Sequence, residues 1–220
     1  MRLAASVILV RPAPEGLEVL MLRRSAGSPF MPGAFVFPGG AVDPADYHRA
    51  AAPGWSDERI AAEFRARVPA ELASDQPSIT ARDARALVHA AVRELAEEAS
   101  ITVDAAGLML FSHWITPPTE QRRYDTHFFL SVAPSGQSGA ADAVETYDER
   151  WIAASTALEH YRRGEMLLMY PTIKHLEQLE RFRDLAALVA YSRSKPIFTI
   201  MPTGSPAEGF VMPGTLEGRW

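Results

Sequence analysis

The chain has 220 residues, 47% of them hydrophobic and 22% charged, enough for one large domain with an inserted lobe and a substantial core. It contains no cysteine, which excludes disulfides and thiolate chemistry and suits a reducing cytosol, so a cytoplasmic protein is the expectation. The 22 basic against 27 acidic residues leave a net charge of −5, which offers no general attraction for nucleic acid.

Residues 1–11 carry an apolar run too short to span a bilayer, and a second run, Leu17 to Leu22, follows the turn Pro14-Glu15-Gly16. The pattern predicts a β-hairpin rather than a leader or membrane segment. Its mouth presents Arg23 and Arg24, whose paired guanidiniums would suit a phosphate or remain ordinary rim charges. A Gly/Pro-punctuated loop then leads to a strand over 34–38, broken by Pro38, Gly39 and Gly40. Such a break brings backbone close to a ligand. Within 44–80 the stretch 57–68 predicts an amphipathic helix with Ile60, Phe64 and Val68 as its stripe, set among proline-marked loops. It would form a wall of a pocket or a contact between copies.

From Ala81 to Ala99 there is no Pro or Gly, and Ala84, Leu87, Val88, Ala91, Val92, Leu95 and Ala99 recur as one apolar helix face. Ser78 or Thr80 would cap this helix. Glu94, Glu97 and Glu98 stand at i, i+3 and i+4, so the helix gathers three carboxylates that repel one another unless a cation lies among them. Hard oxygen donors suit Mg2+, Mn2+ or Ca2+ rather than zinc. Arg93, four residues before Glu97, is placed to grip one carboxylate bidentately and fix its rotamer.

Further on, strands are expected over 108–115 and 124–132, the second alternating Thr126, Phe128, Leu130 and Val132 with Asp125, His127, Phe129 and Ser131. Arg122 and Arg123 lie on the rim between them, as phosphate contacts or solvated turn charges. A small, polar loop over 134–141 precedes a strand over 144–152. Ser155 or Thr156 would cap a helix over 157–163, and 171–191 reads as one long helix, with His160 and His175 as ordinary surface histidines. The tail over 195–220 carries one apolar strand, Ile197 to Met201, suited to a sheet edge.

Gly40 and the run Arg93-Glu94-Leu95-x-Glu97-Glu98-x-Ser100-Ile101 together resemble the signature of the Nudix hydrolases, G-x5-E-x7-R-E-U-x-E-E-x-G-U with U a bulky aliphatic. Asp46 stands where that pattern has its first glutamate, Ser100 where it has its late glycine, and the signature is split by residues 44–80. A split signature resembles the peroxisomal-type coenzyme A diphosphatases. So do Leu22-Arg23-Arg24-Ser25, Phe30-Met31-Pro32-Gly33-Ala34, Trp114-Ile115-Thr116-Pro117-Pro118, Arg122-Arg123-Tyr124-Asp125-Thr126 and Tyr170-Pro171-Thr172.

The resemblance implies a single α/β domain over 1–220 with the Nudix fold, a mixed β-sheet between helices, and a helical insertion inside the signature. It implies Mg2+ or Mn2+ held by Glu94, Glu97, Glu98 and the Gly39 carbonyl, with Arg93 orienting the carboxylates. Glu94 or Glu145 would be the general base, with Glu149 as the second acid of that region. Arg23, Arg24, Arg122 and Arg123 would bind substrate. The expected reaction is hydrolysis of a nucleoside diphosphate linked to another group, coenzyme A or acyl-coenzyme A first and ADP-ribose or a nucleotide sugar second. A nucleotide sensor that does not hydrolyse is the reading from another class. The expected partner is a small nucleotide diphosphate, with no nucleic acid and no membrane, and a homodimer follows from the resemblance alone.

Overall fold

The computed structural model describes residues 1–27, 31–49, 52–70, 79–137, 139, 146–205, 208–216 and 218–220. Strands β1 (Arg2–Ala13) and β2 (Gly16–Arg24) form the expected hairpin, closing at Ala13 opposite Gly16. β1 is the spine of the sheet. Along one edge it pairs in parallel with β6 (Tyr124–Val132), and along the other it pairs with β2 in its second half and β4 (Gly39–Ala41) in its first. β3 (Phe35–Val36), β5 (Met109–Ile115), β7 (Thr146–Ala153) and β8 (Thr199–Ile200) complete an eight-stranded mixed sheet of order β3-β2-β1-β6-β5-β8, with β4 beside β1 and β7 beside β2. A small hairpin, β9 (Thr203–Ser205) and β10 (Gly209–Val211), follows.

Alternation along the strands splits the core between the two faces. Ile8, Val10, Phe128 and Leu130 join one core, whereas Val7, Leu9, Phe129 and Leu20 join the other. The second face is covered by α2 (Ala81–Ala99), through Ala84, Leu87, Val88, Ala91, Leu95 and Ala99, and by the insertion, through Trp55, Ile60 and Phe64. The first face is covered by α3 (Ala154–Arg162), α4 (Tyr170–Leu179) and α5 (Leu185–Ser194). Helices therefore lie on both sides of a mixed sheet, as expected. Among the described residues no helix is long and apolar enough to cross a membrane.

The insertion is less regular than its periodicity suggests. Pro44–His48 is one 3-10 turn, and the helix over 57–68 is a short α-helix, α1 (Asp57–Ala61), that widens into a π-turn over Ala62–Ala66. Arg67 ties that turn down by donating to the carbonyls of Leu110, Ser192 and Lys195. The expected helix over 171–191 is two helices. Asp184 accepts a hydrogen bond from the Ala187 N–H at 2.8 Å and starts α5 afresh, yet Leu176, Leu179, Phe182, Leu185 and Leu188 still reach one core. α3 starts at Ala154 with no side-chain cap, so Ser155 and Thr156 lie inside its first turn. Of the two expected caps of α2, Thr80 accepts from the Asp83 N–H at 3.0 Å, and Ser78 lies outside the described residues.

His175 corrects a surface assignment. It is fully buried, with Nδ1 at 2.6 Å from the Pro171 carbonyl and Nε2 at 2.6 Å from the Ser112 hydroxyl. Burial, and then the charge of Lys195, hold it down at about 3, so it is neutral at neutral pH. His160 does lie at the surface, paired with Glu165. β8 pairs in parallel with β5, so the tail adds to this chain's own sheet.

Ser100 closes α2 with φ of 54°, the left-handed conformation that favours glycine, while its N–H bonds the Ala96 carbonyl at 3.1 Å. Ser100→Gly is expected to remove a penalty of roughly 1 kcal/mol and raise the melting temperature by about 2–4 °C in thermal unfolding. Lys195 is buried against Phe111, Tyr191 and Trp220 with its ammonium bonded to Gln178. Burial, reinforced by Arg67 and Arg181, lowers its pKa to about 7. Between that value and the unfolded value of about 10.4 the unfolded chain binds the extra proton, so Lys195 makes stability rise with pH in that window. Lys195→Met should flatten that slope and raise stability most at pH 7 and below, as read from denaturant midpoints across pH.

Candidate active site

The two halves of the split motif meet where β4 passes beneath the end of α2. Gly39 and Gly40 pair with Ser6 and Ala5 of β1, and the fit leaves neither room for a side chain. A Cβ on Gly39 would lie 2.6 Å from the Ser6 Cα, and one on Gly40 would lie 2.6 Å from the Glu94 Cδ. The Gly39 N–H donates to Glu98 Oε2 at 2.8 Å. Glu98 is only 4% exposed, so this backbone donor stabilises an anion that has left water.

Arg93 ties the rest together. Its Nη1 donates to Glu94 Oε1 at 2.8 Å and Glu97 Oε2 at 2.9 Å. Nε and Nη2 grip the two oxygens of Asp46 at 3.2 and 3.0 Å, and Nη2 also reaches the Ala41 carbonyl at 3.1 Å. The bidentate fork therefore falls on Asp46 of the insertion, and Glu97 receives one nitrogen instead of the expected two. The reason is solvation. Asp46 is 1% exposed, whereas the Glu97 side chain is 58% exposed and keeps its water. Burial pulls the Arg93 pKa down, but the hydrogen bonds to Asp46, Glu94 and Glu97 and the charge of Glu94 outweigh it and raise the pKa above its ordinary value. Arg93 is a permanent cation.

One guanidinium shared among four carboxylates, Asp43, Asp46, Glu94 and Glu97, leaves a negative excess, with Glu98 close by on the same helix turn. The donors are hard oxygens, and Glu97 opens to solvent. That set suits a hard divalent cation rather than zinc. Sequence reasoning placed Glu94, Glu97, Glu98, Arg93 and Gly39 here. It gave Asp46 no role, although its spacing from Gly40 was the available signal.

The remaining candidates are spread. Arg23 donates Nε to the Gly33 carbonyl at 3.4 Å and lies 5.8 Å over the Phe35 ring, and the Arg24 N–H bonds the Ala34 carbonyl. Both mark the end of β2. Across the sheet, Arg123 donates to the Thr116 carbonyl at 3.0 Å and Arg122 is exposed. Glu145 lies outside the described residues. Glu149 has a buried Oε2 with no hydrogen-bond partner, near Gly139.

An apolar pocket of about 100 Å3 opens beside the β5–β6 turn, lined among others by Met31, Trp114, Thr116, Tyr170, Pro171 and Phe210. Four of the five stretches that matched the diphosphatases contribute residues to it. Phe210, from the tail, had no sequence signal.

No family model matches the chain. It is 26% identical over 222 residues to nudix hydrolase 7 of Caenorhabditis elegans, covering 96% of this chain and 71% of that protein. It is 24% identical over 234 residues to an acyl-coenzyme A diphosphatase of Xenopus laevis, covering 78% of this chain and 62% of that protein, so it spans less than two thirds of that relative's length. Among solved structures, a NUDIX hydrolase from Alicyclobacillus acidocaldarius superposes with a TM-score of 0.66 at 25% identity, covering 86% of this chain and 96% of that one.

The two glycines give separable variants. Gly39→Ala forces a side chain into backbone of β1 and should cost about 1–3 kcal/mol in thermal unfolding. Gly40→Ala meets only a movable carboxylate, so it should melt near the parent temperature yet weaken Mn2+ binding roughly tenfold in calorimetric titration, through displaced Glu94.

Proposed function

The chain belongs to the Nudix superfamily of hydrolases, and from that premise we propose that it cleaves the diphosphate of coenzyme A or an acyl-coenzyme A, giving 3′,5′-ADP and the (acyl-)phosphopantetheine. The observation that carries the hydrolytic reading is the closed loop-helix junction, where the Gly39 N–H meets Glu98 and Gly40 meets Glu94 across the insertion. An insertion that displaced the loop would have left Glu98 without its backbone donor. The coenzyme A reading is supported by the acyl-coenzyme A diphosphatase relative and by the shared stretches that converge on the apolar pocket.

In this reading Glu94, Glu97 and Glu98, with the Gly39 carbonyl, hold Mg2+ or Mn2+. When bound, the cation supplies charge screening for the diphosphate and acidifies the attacking water. Arg93 keeps Glu94 and Glu97 in place and, held by Asp46, stays off the substrate. Glu98, fixed by the Gly39 N–H, keeps its carboxylate at the loop-helix junction. Glu94 accepts the proton from the attacking water, with Glu145 as the other candidate base. Arg23, Arg24, Arg122 and Arg123 contact the remaining phosphates, and the pocket takes an apolar part of the substrate.

The test is mass-resolved product release from coenzyme A, acetyl-coenzyme A, ADP-ribose, NADH and deoxynucleoside triphosphates, with Mg2+ or Mn2+. Expected is metal-dependent 3′,5′-ADP from coenzyme A, with turnover falling at least about a hundredfold in Glu97→Gln. AMP from ADP-ribose without 3′,5′-ADP would move the substrate assignment to the ADP-ribose class. Nucleotide binding without any product would support a sensor.

A further inference from the structure

Away from the carboxylates of α2, a second set of metal-ligand side chains lies where β5, β6 and β8 meet. His113 on β5 and His127 on β6 are direct cross-strand partners, and Asp125 stands two residues before His127, on the same face. Alternation along the strand and pairing across it put all three side chains on one face of the sheet as close neighbours. Among the described residues this is the group of three His, Asp or Glu side chains whose ligand atoms all lie within 4.8 Å of one another.

The distances converge on one atom. Asp125 Oδ1 is 2.6 Å from His113 Nε2 and 3.6 Å from His127 Nδ1. The imidazoles are stacked at 4.0 Å between centroids and 15° between planes. His127 is 5% exposed and its buried Nδ1 has no hydrogen-bond partner. An orphaned imidazole nitrogen costs free energy that a ligand to that nitrogen would recover. On the far side of His113, Nδ1 pairs with the Thr199 hydroxyl at 2.8 Å, the outer partner that metal-bound histidines commonly keep to fix ring and tautomer. Phe64 of the insertion closes over His127 at 5.6 Å between ring centroids, while the Asp125 side chain keeps 16% exposure as a way in.

We propose that His113, Asp125 and His127 form a second metal site, selective for Zn2+ or a similar imidazole-seeking first-row cation and chemically distinct from the all-oxygen set of Glu94, Glu97 and Glu98. Two imidazoles and one carboxylate match the preference of zinc and are a poor set for Mg2+. Bonds of about 2.0–2.2 Å in a tetrahedral arrangement separate ligand atoms by about 3.3 Å, between the two distances found. The cation replaces the one proton shared by His113 and Asp125, which leaves to solvent. Because His113 is tied to Thr199, it would fasten the C-terminal strand to the sheet under the insertion, a structural role independent of hydrolysis.

The full chain, stripped with a chelator and held in excess Mg2+ to occupy oxygen sites, is titrated with Zn2+ and, separately, Co2+. Expected are one equivalent of Zn2+ retained after desalting, a rise in melting temperature of roughly 5–10 °C at about a hundredfold excess over Kd, and the strong visible absorption of low-symmetry Co2+. His127→Phe keeps the ring stack and should lose all three, Asp125→Asn should lose them with little change of shape, and Glu97→Gln should keep them. Zn2+ binding that survives in both His127→Phe and Asp125→Asn overturns the assignment. If neither variant folds, the parent decides it, because weak, octahedral-type Co2+ absorption or no Zn2+ retention rejects the site.

Discussion

A buried fork between Arg93 and Asp46 is the constraint on which the candidate site depends. Asp46 belongs to the insertion and Arg93 to α2, so this one contact joins the halves of a motif that lie far apart in sequence. Asp46, 1% exposed, cannot be left there without a cation. Breaking a buried pair leaves an unpaired ion at a cost of several kcal/mol, which is why the fork holds where an exposed pair would wander. Because the remaining guanidinium nitrogen holds Glu94 and Glu97, the position of the insertion sets the position of the carboxylates. Asp46 stands where the Nudix signature has its first glutamate, and the Pro44–His48 turn that carries it packs against α2.

The insertion is thus structural as well as additional. Trp55, Ile60 and Phe64 fill the core beneath α2, Arg67 stitches the π-turn to β5 and to the end of α5, and Arg59 lies over the Trp55 ring. The Arg67 bonds go to carbonyls of β5 and of the end of α5, so they anchor the irregular segment to the regular layers. They explain how an interruption in the middle of the motif leaves the Gly39-Gly40 loop against the helix.

The opposite face of the sheet is organised around a different need. There α4, the β5–β6 turn and the tail enclose an apolar pocket, while His175 and Lys195 are buried nearby among Phe111, Trp114, Tyr191 and Trp220. Both lose charge through burial, with the lysine held near 7 and the histidine near 3. Aromatic faces and a few directed bonds replace water around them. The tail that sets this wall is held to β5 by only two residue pairs, so its apolar packing carries much of the attachment.

The sequence by itself determined what depends on local spacing. Period-two and helical patterns located the hairpin, β5, β6 and α2, and one helix turn was enough to group Glu94, Glu97 and Glu98, because neighbours at i+3 and i+4 share a face. Two glycines next to a strand signalled a close backbone approach, because glycine has no Cβ to hold neighbours off. Spacing was blind to contacts across the chain. It could not tell that Arg93 would fork onto Asp46, that His175 would be buried, or that His113, Asp125 and His127 would point at one oxygen. It also merged α4 and α5, since their apolar residues keep helical spacing through the break at Asp184 and the period does not register a restart. Those outcomes were decided by which groups lose water when the layers pack, and desolvation is a property of the assembled fold.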